Sequence, residues 1–112
     1  MCESCWLVQT KDVVDAAELF SHDYAYFSSY STSWLEHAKA YVKQVERRFS
    51  LGGQSLVAEI ASNDGYLLQY FKEKDIPCYG IEPTVSASEA AKRKGLDTIQ
   101  EFFSAKIARA LR

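Results

Sequence analysis

Proline is scarce in this sequence, with two residues in 112, and glycine numbers only five. So few breakers exclude collagen-like, linker-like and low-complexity architectures. Cysteine is limited to three residues, an odd number without the spacing of a disulfide framework, which fits a reducing compartment. No run of about 18 apolar residues occurs, and no signal-peptide core, so a soluble, cytoplasmic protein without a membrane span is expected. A basic excess is missing too: 13 Lys and Arg stand against 15 Asp and Glu, giving a net charge of −2. With both signs interspersed and no basic stripe, nucleic acid is not an expected partner. No internal repeat is visible.

What is present is globular in kind, 47% hydrophobic and 13% aromatic. At this length a chain buries roughly 65% of its unfolded surface, enough for one core. Its organising stretch runs from Ser55 to Leu68. The apolar run Leu56, Val57, Ile60, Ala61 predicts a strand buried on both faces. Ser62-Asn-Asp-Gly65 then predicts a tight turn, with Gly65 supplying conformational freedom and no side chain to block a ligand. Tyr66 to Phe71 follows at helical spacing, and its first N–H groups are expected to face the strand end. A second short strand, Pro77 to Ile81, ends in Glu82, 21 positions beyond Ala61. Strand, turn, helix, strand and acid at this spacing predict the corner on which Rossmann-type domains bind adenosine cofactors, the acid taking the ribose hydroxyls. A dinucleotide fingerprint, however, wants glycines where Ala61 and Asn63 stand, and their Cβ atoms obstruct a pyrophosphate. That chemistry favours S-adenosylmethionine over NAD. A structural βαβ unit without ligand and an NAD-binding unit are the alternatives.

On either side of this corner the chain is less specific. Cys2-Glu-Ser-Cys5 is a pair that grips one zinc from two sides, followed by Trp6 to Gln9 as a short strand. A structural zinc needs four ligands. His22 and His37 lack the paired spacing to complete the set, and Cys78 reads as a buried apolar residue. Residues 13–32 read as a connector, helical from Val13 to Phe20. Its aromatic cluster, Tyr24, Tyr26, Phe27 and Tyr30, either closes over the core or forms a lid touching a ligand. Ser33 and Glu36 predict a capping box for a helix whose stripe is Trp34, Ala38, Tyr41, Val42, Val45 and Phe49, ended by Gly52-Gly53. Ser86 and Glu89 predict a second capping box, for a helix through Lys94. Asp97 to Gln100 reads as a third strand and Phe102 to Leu111 as a last helix. The order β-α-β-α-β-α predicts a parallel sheet with right-handed crossovers. The fold class is α/β, a partial Rossmann-like three-layer α/β/α unit over residues 33–112.

Tyr30-Ser-Thr-Ser-Trp-Leu-Glu-His-Ala38, Glu59-Ile-Ala-Ser-Asn-Asp-Gly65 and Gly80-Ile-Glu-Pro-Thr84, in this order, resemble the sugar C-methyltransferases. The likeness covers nearly the whole chain. It implies a class I S-adenosylmethionine-dependent enzyme acting on a nucleotide-linked keto-deoxysugar. Carried over residue by residue, Cys2 and Cys5 would be the last two ligands of a four-cysteine zinc module, of which residues 1–12 are the remnant. Glu59, Ala61, Asn63 and Gly65 would line the cofactor, Glu82 would hold its ribose and Pro83 would wall the adenine. Tyr30 and Ser31 would come from the lid. No residue matches the family's catalytic base, so the chain is expected to be a fragment. A non-catalytic domain that binds cofactor, or self-associates through an open sheet edge, is the alternative.

Overall fold

The computed structural model describes residues 1–8, 13–21, 24 and 26–111. Gln9 and His22 lie outside them. The elements run α1 (Ala16–Leu19), a 3-10 turn (Ser28–Tyr30), α2 (Thr32–Phe49), β1 (Val57–Ile60), α3 (Leu68–Lys72), β2 (Cys78–Ile81), α4 (Val85–Arg93), β3 (Asp97–Ile99) and α5 (Ala105–Ala110). The strands form one parallel sheet ordered β1-β2-β3, with Val57 beside Cys78, Ile60 beside Ile81 and Ile81 beside Ile99. Parallel neighbours joined through α3 and α4 make half of a doubly wound sheet, so the partial Rossmann-like expectation is met.

The core lies where three helices meet the sheet. Val42 from α2, Leu68 and Phe71 from α3, and Ala91 from α4 cluster with Ile76 and Leu96, against Val57 and Cys78 of the strands. The opposite face of β1 differs from expectation. Ala58 and Ile60 are exposed, so the strand is not buried on both faces. Its apolar run reflects a surface, not a sandwich.

Local chemistry also shifts several boundaries. α2 starts at Ser31, whose Oγ accepts the Trp34 N–H at 3.3 Å, and not at Ser33. It ends at Ser50, left-handed at φ 51°, before the two glycines are reached. Of its predicted stripe, Ala38 and Val42 are buried, whereas Trp34, Tyr41 and Phe49 stay exposed. α3 begins three residues after Gly65 because residues 62–67 coil in turns. α4 is capped by Thr84 without a side-chain bond. Ser86 lies inside that helix and its hydroxyl donates to the Tyr24 carbonyl at 2.8 Å, so the second capping box does not form. At the start, Trp6 to Val8 form no strand. Cys2 to Trp6 make a turn closed by the Trp6 N–H on the Cys2 carbonyl at 2.9 Å.

Candidate functional site

The β1–α3 turn spends three left-handed residues in five positions: Ala61 at φ 59°, Asn63 at 50° and Gly65 at 76°. Asparagine tolerates this region, whereas an alanine there carries strain of about 1–2 kcal/mol. The coil is held from within. The N–H groups of Ala61 and Ser62 both donate to the Ile81 carbonyl, at 2.8 and 3.2 Å. The Asn63 N–H is thereby aimed at Glu82, which follows β2 directly, and meets its Oε2 at 2.9 Å. Glu82 Oε1 accepts from the Thr84 N–H at 2.8 Å and from Thr84 Oγ1 at 2.6 Å. A carboxylate offers about four acceptor positions. Three are taken by these donors, which leaves one on Oε2.

Glu82 opens onto a cavity of about 380 Å³ at the C-terminal end of the strands, the usual place for ligands of such sheets. Ala61, Asn63 and Pro83 line it as well. Phe20, Phe102 and Phe103 supply aromatic walls, and Tyr24, Tyr26, Tyr66 and Ser28 add hydroxyls. The cavity therefore joins a fixed acid to flat apolar surface, which suits a nucleoside better than a free phosphate.

Four residues expected here, Gly65, Tyr30, Ser31 and Glu59, are elsewhere. Gly65 faces away: a Cβ on it would run into Leu96 Cδ1 and approach Ala91 Cβ to 3.5 Å, so the glycine serves helix-to-sheet packing. Tyr30 is 82% exposed, its ring tilted by 33° against Phe27 with centroids 5.3 Å apart. Ser31 is committed to capping α2. The cavity's contributions from that segment come from Tyr24, Tyr26 and Ser28, because the 3-10 turn carries the chain out of the cavity at Tyr30. The segment is also no free connector. Asn63 Nδ2 donates to the Tyr26 carbonyl at 3.0 Å, and the Ser28 N–H donates to Asn63 Oδ1 at 2.9 Å. Lys94 Nζ reaches Ser29 Oγ at 2.7 Å and Asp64 Oδ2 at 3.2 Å.

Glu59 points from β1 toward α2 and α3, outside the cavity lining, with Oε2 buried and unpartnered. Burial raises its pKa to about 8, the neighbouring Tyr66 hydroxyl opposes that rise, and the charges of Asp64 and Glu82 add to it. Tyr66 is raised in turn, by burial first and by Glu59 second, and its ring stacks on Trp34 at 5.9 Å. Trp34 also stacks on His37 at 5.2 Å. Phe102 and Phe103 were not anticipated as wall residues. Two aromatics just past the end of a third parallel strand were the available signal.

Cys2 and Cys5 are exposed free thiols. The backbone N–H groups of Cys5 and then Ser4 draw the Cys2 thiol below its ordinary range. Two thiolates are half of the four ligands that a structural zinc takes. Among the described residues no group of three or more His, Cys, Asp or Glu stands together. Cys78 is half-buried, its thiol raised by burial and directed at the Leu68 carbonyl at 3.7 Å. Among the described residues no helix is long and apolar enough to cross a membrane.

No family model matches the chain. In sequence it is 30% identical over 107 residues to the C-methyltransferase NovU of Streptomyces niveus, over 96% of this chain and 25% of that protein. Among solved structures, the sugar N-methyltransferase KedS8 from Streptoalloteichus sp ATCC 53650 aligns with a TM-score of 0.44 and 17% identity, over 94% of this chain and 41% of that one. The chain thus spans about a quarter of the length of its curated relative. That match runs over all three motifs quoted from the sequence, and by it the chain is similar to a C-methyltransferase over a quarter of that protein's length.

Proposed function

We propose that this chain is the S-adenosylmethionine-binding part of an enzyme that methylates a carbon of a nucleotide-linked keto-deoxysugar. The observation that carries this reading is the convergence of Ala61, Asn63, Glu82 and Pro83 on one aromatic-walled cavity. When bound, the cofactor supplies an activated methyl on a sulfonium, so alignment of the two reactants accounts for most of the acceleration. The chain's own contribution is binding. The remaining acceptor position of Glu82 Oε2 takes a ribose hydroxyl, and Pro83 with the paired phenylalanines sandwiches the base. Glu82 therefore holds one hydroxyl strongly, not both, because Thr84 and Asn63 already occupy the other positions. No residue of this chain is assigned as the base.

Titration with S-adenosylhomocysteine tests the reading. Amide signals of Asn63, Glu82 and Phe102 are expected to move, and Glu82→Gln is expected to weaken binding by about 1–3 kcal/mol, as for a lost hydrogen bond to a charged group. Shifts confined to other regions, or an unchanged affinity, refute it.

A cofactor-binding domain without turnover is the second reading, favoured by β1. Its outer edge has no partner strand among the described residues, and Leu56 and Ile60 are 69% and 54% exposed. Such an edge pairs readily with another chain. Methyl transfer by the purified polypeptide would rule this second reading out.

For zinc, the Cys2–Cys5 turn offers two of the four ligands of a tetrahedral site. We expect at most about one zinc per two chains by equilibrium dialysis, the metal bridging two turns. One tight zinc per monomer overturns this.

A further inference from the structure

We infer that Asn63 is a positioning residue: it fixes residues 26–29 as a standing wall of the cavity and locks that wall to Glu82. Three hydrogen bonds converge on this one buried residue, two from the strap and one from Glu82. Its side-chain oxygen accepts from Ser28 N–H at 2.9 Å, its side-chain nitrogen donates to the Tyr26 carbonyl at 3.0 Å, and its backbone N–H donates to Glu82 Oε2 at 2.9 Å. Each polar end of the amide is thereby engaged by the strap. One acceptor position and one N–H remain on this cavity-lining side chain, and the double-mutant cycle below decides whether a ligand uses them. Its left-handed backbone, at φ 50°, presents donor and acceptor in this orientation, and asparagine is among the few residues that adopt it readily.

Two further ties hold the same strap, Ser86 Oγ on the Tyr24 carbonyl and Lys94 Nζ on Ser29 Oγ. Among the described residues, Asn63 alone joins the strap to the acid. The strap is therefore a preformed wall rather than a lid awaiting the ligand. A preformed site loses less ordering entropy on binding than one that must close.

The inference rests on the cofactor reading for its ligand, and the test separates the two. Asn63→Ala is expected to speed amide exchange at Ser28 by about tenfold or more, the size of one net hydrogen bond. The Ile76 amide, held by the Phe71 carbonyl, reports that the core stays folded. A double-mutant cycle then asks how Asn63 acts on S-adenosylhomocysteine. Ser28→Pro breaks the same tie from the strap side, removing the N–H that Asn63 accepts from and placing ring carbons there; the extended backbone of Phe27, φ −117° and ψ 117°, accommodates a following proline, and Ser28→Ala separates out the loss of the hydroxyl. Asn63→Ala and Ser28→Pro are each expected to weaken binding about tenfold, and the double variant by no more than about twofold beyond either. Ser28→Ala measures what the cavity-facing hydroxyl contributes by itself, and the loss in Ser28→Pro is read relative to it. Independent losses that multiply to about a hundredfold would make Asn63 a direct ligand contact and overturn the proposal. Unchanged exchange at Ser28 in Asn63→Ala overturns it as well. A parent chain that binds no S-adenosylhomocysteine sinks the cofactor reading and leaves exchange at Ser28 to decide the clamp.

Discussion

Glu59→Gln is expected to be markedly more stable than the parent at pH 8.5 and about equal to it at pH 4. The carboxyl is pushed from its ordinary 4.5 to about 8, chiefly by burial. The native state thus holds a proton that the unfolded chain releases. Stability contributed by this group is complete below about pH 4.5 and is lost as pH rises toward 8. Each pH unit between those values costs about 1.4 kcal/mol, so the whole window amounts to on the order of 5 kcal/mol. A domain of this size holds roughly 5–15 kcal/mol in all, so the parent should weaken visibly on the alkaline side. Glutamine removes the titration and keeps the shape. Urea midpoints taken from pH 4 to 9 check this: the parent should decline and the variant stay nearly flat. Parallel curves would show that Glu59 is solvated or paired.

Gly80→Ala is expected to lose about 2–3 kcal/mol, the upper range for overpacking, and to disturb the cavity as well. A Cβ at this mid-strand position runs into Ser62 Oγ, lies 2.7 Å from Ser62 Cβ and meets Leu68 Cδ1 at 3.1 Å. Ser62 is fully buried and cannot swing into solvent. It must move as backbone, and with it the neighbouring Ala61 and Asn63. The double variant Gly80→Ala with Ser62→Gly removes the obstacle and should recover most of the lost stability. Full tolerance of the single change in a thermal melt would show that β2 and the turn are not in contact.

The order of elements was legible because each depends on nearby residues. Short, mostly apolar runs marked β1 and β2, the β-branched pair Thr98-Ile99 marked β3, and the small polar turn after Ile60 marked the corner. The acid after Ile81 was legible as well, since it stands one residue past a strand end. What was not legible depends on partners far along the chain. Ser86 has the sequence of a cap, yet its hydroxyl bonds a carbonyl 62 residues earlier. Gly65 looked like room for a ligand, whereas the space belongs to Leu96. Tyr30 and Ser31 resembled a lid, but the 3-10 turn puts their neighbours Tyr26 and Ser28 at the cavity instead. Glu82 was expected to present a whole carboxylate, and its occupation by Thr84 and Asn63 could be seen only in three dimensions.

The tie between Lys94 and Ser29 spans 65 residues of chain. During synthesis the strap leaves the ribosome long before its anchors exist. At roughly 5–20 residues per second it waits several seconds for Lys94 to be made. Throughout that interval the half-buried Tyr24 and Phe27 have nothing to pack against, so the nascent chain shows them to any chaperone nearby until Lys94 is made.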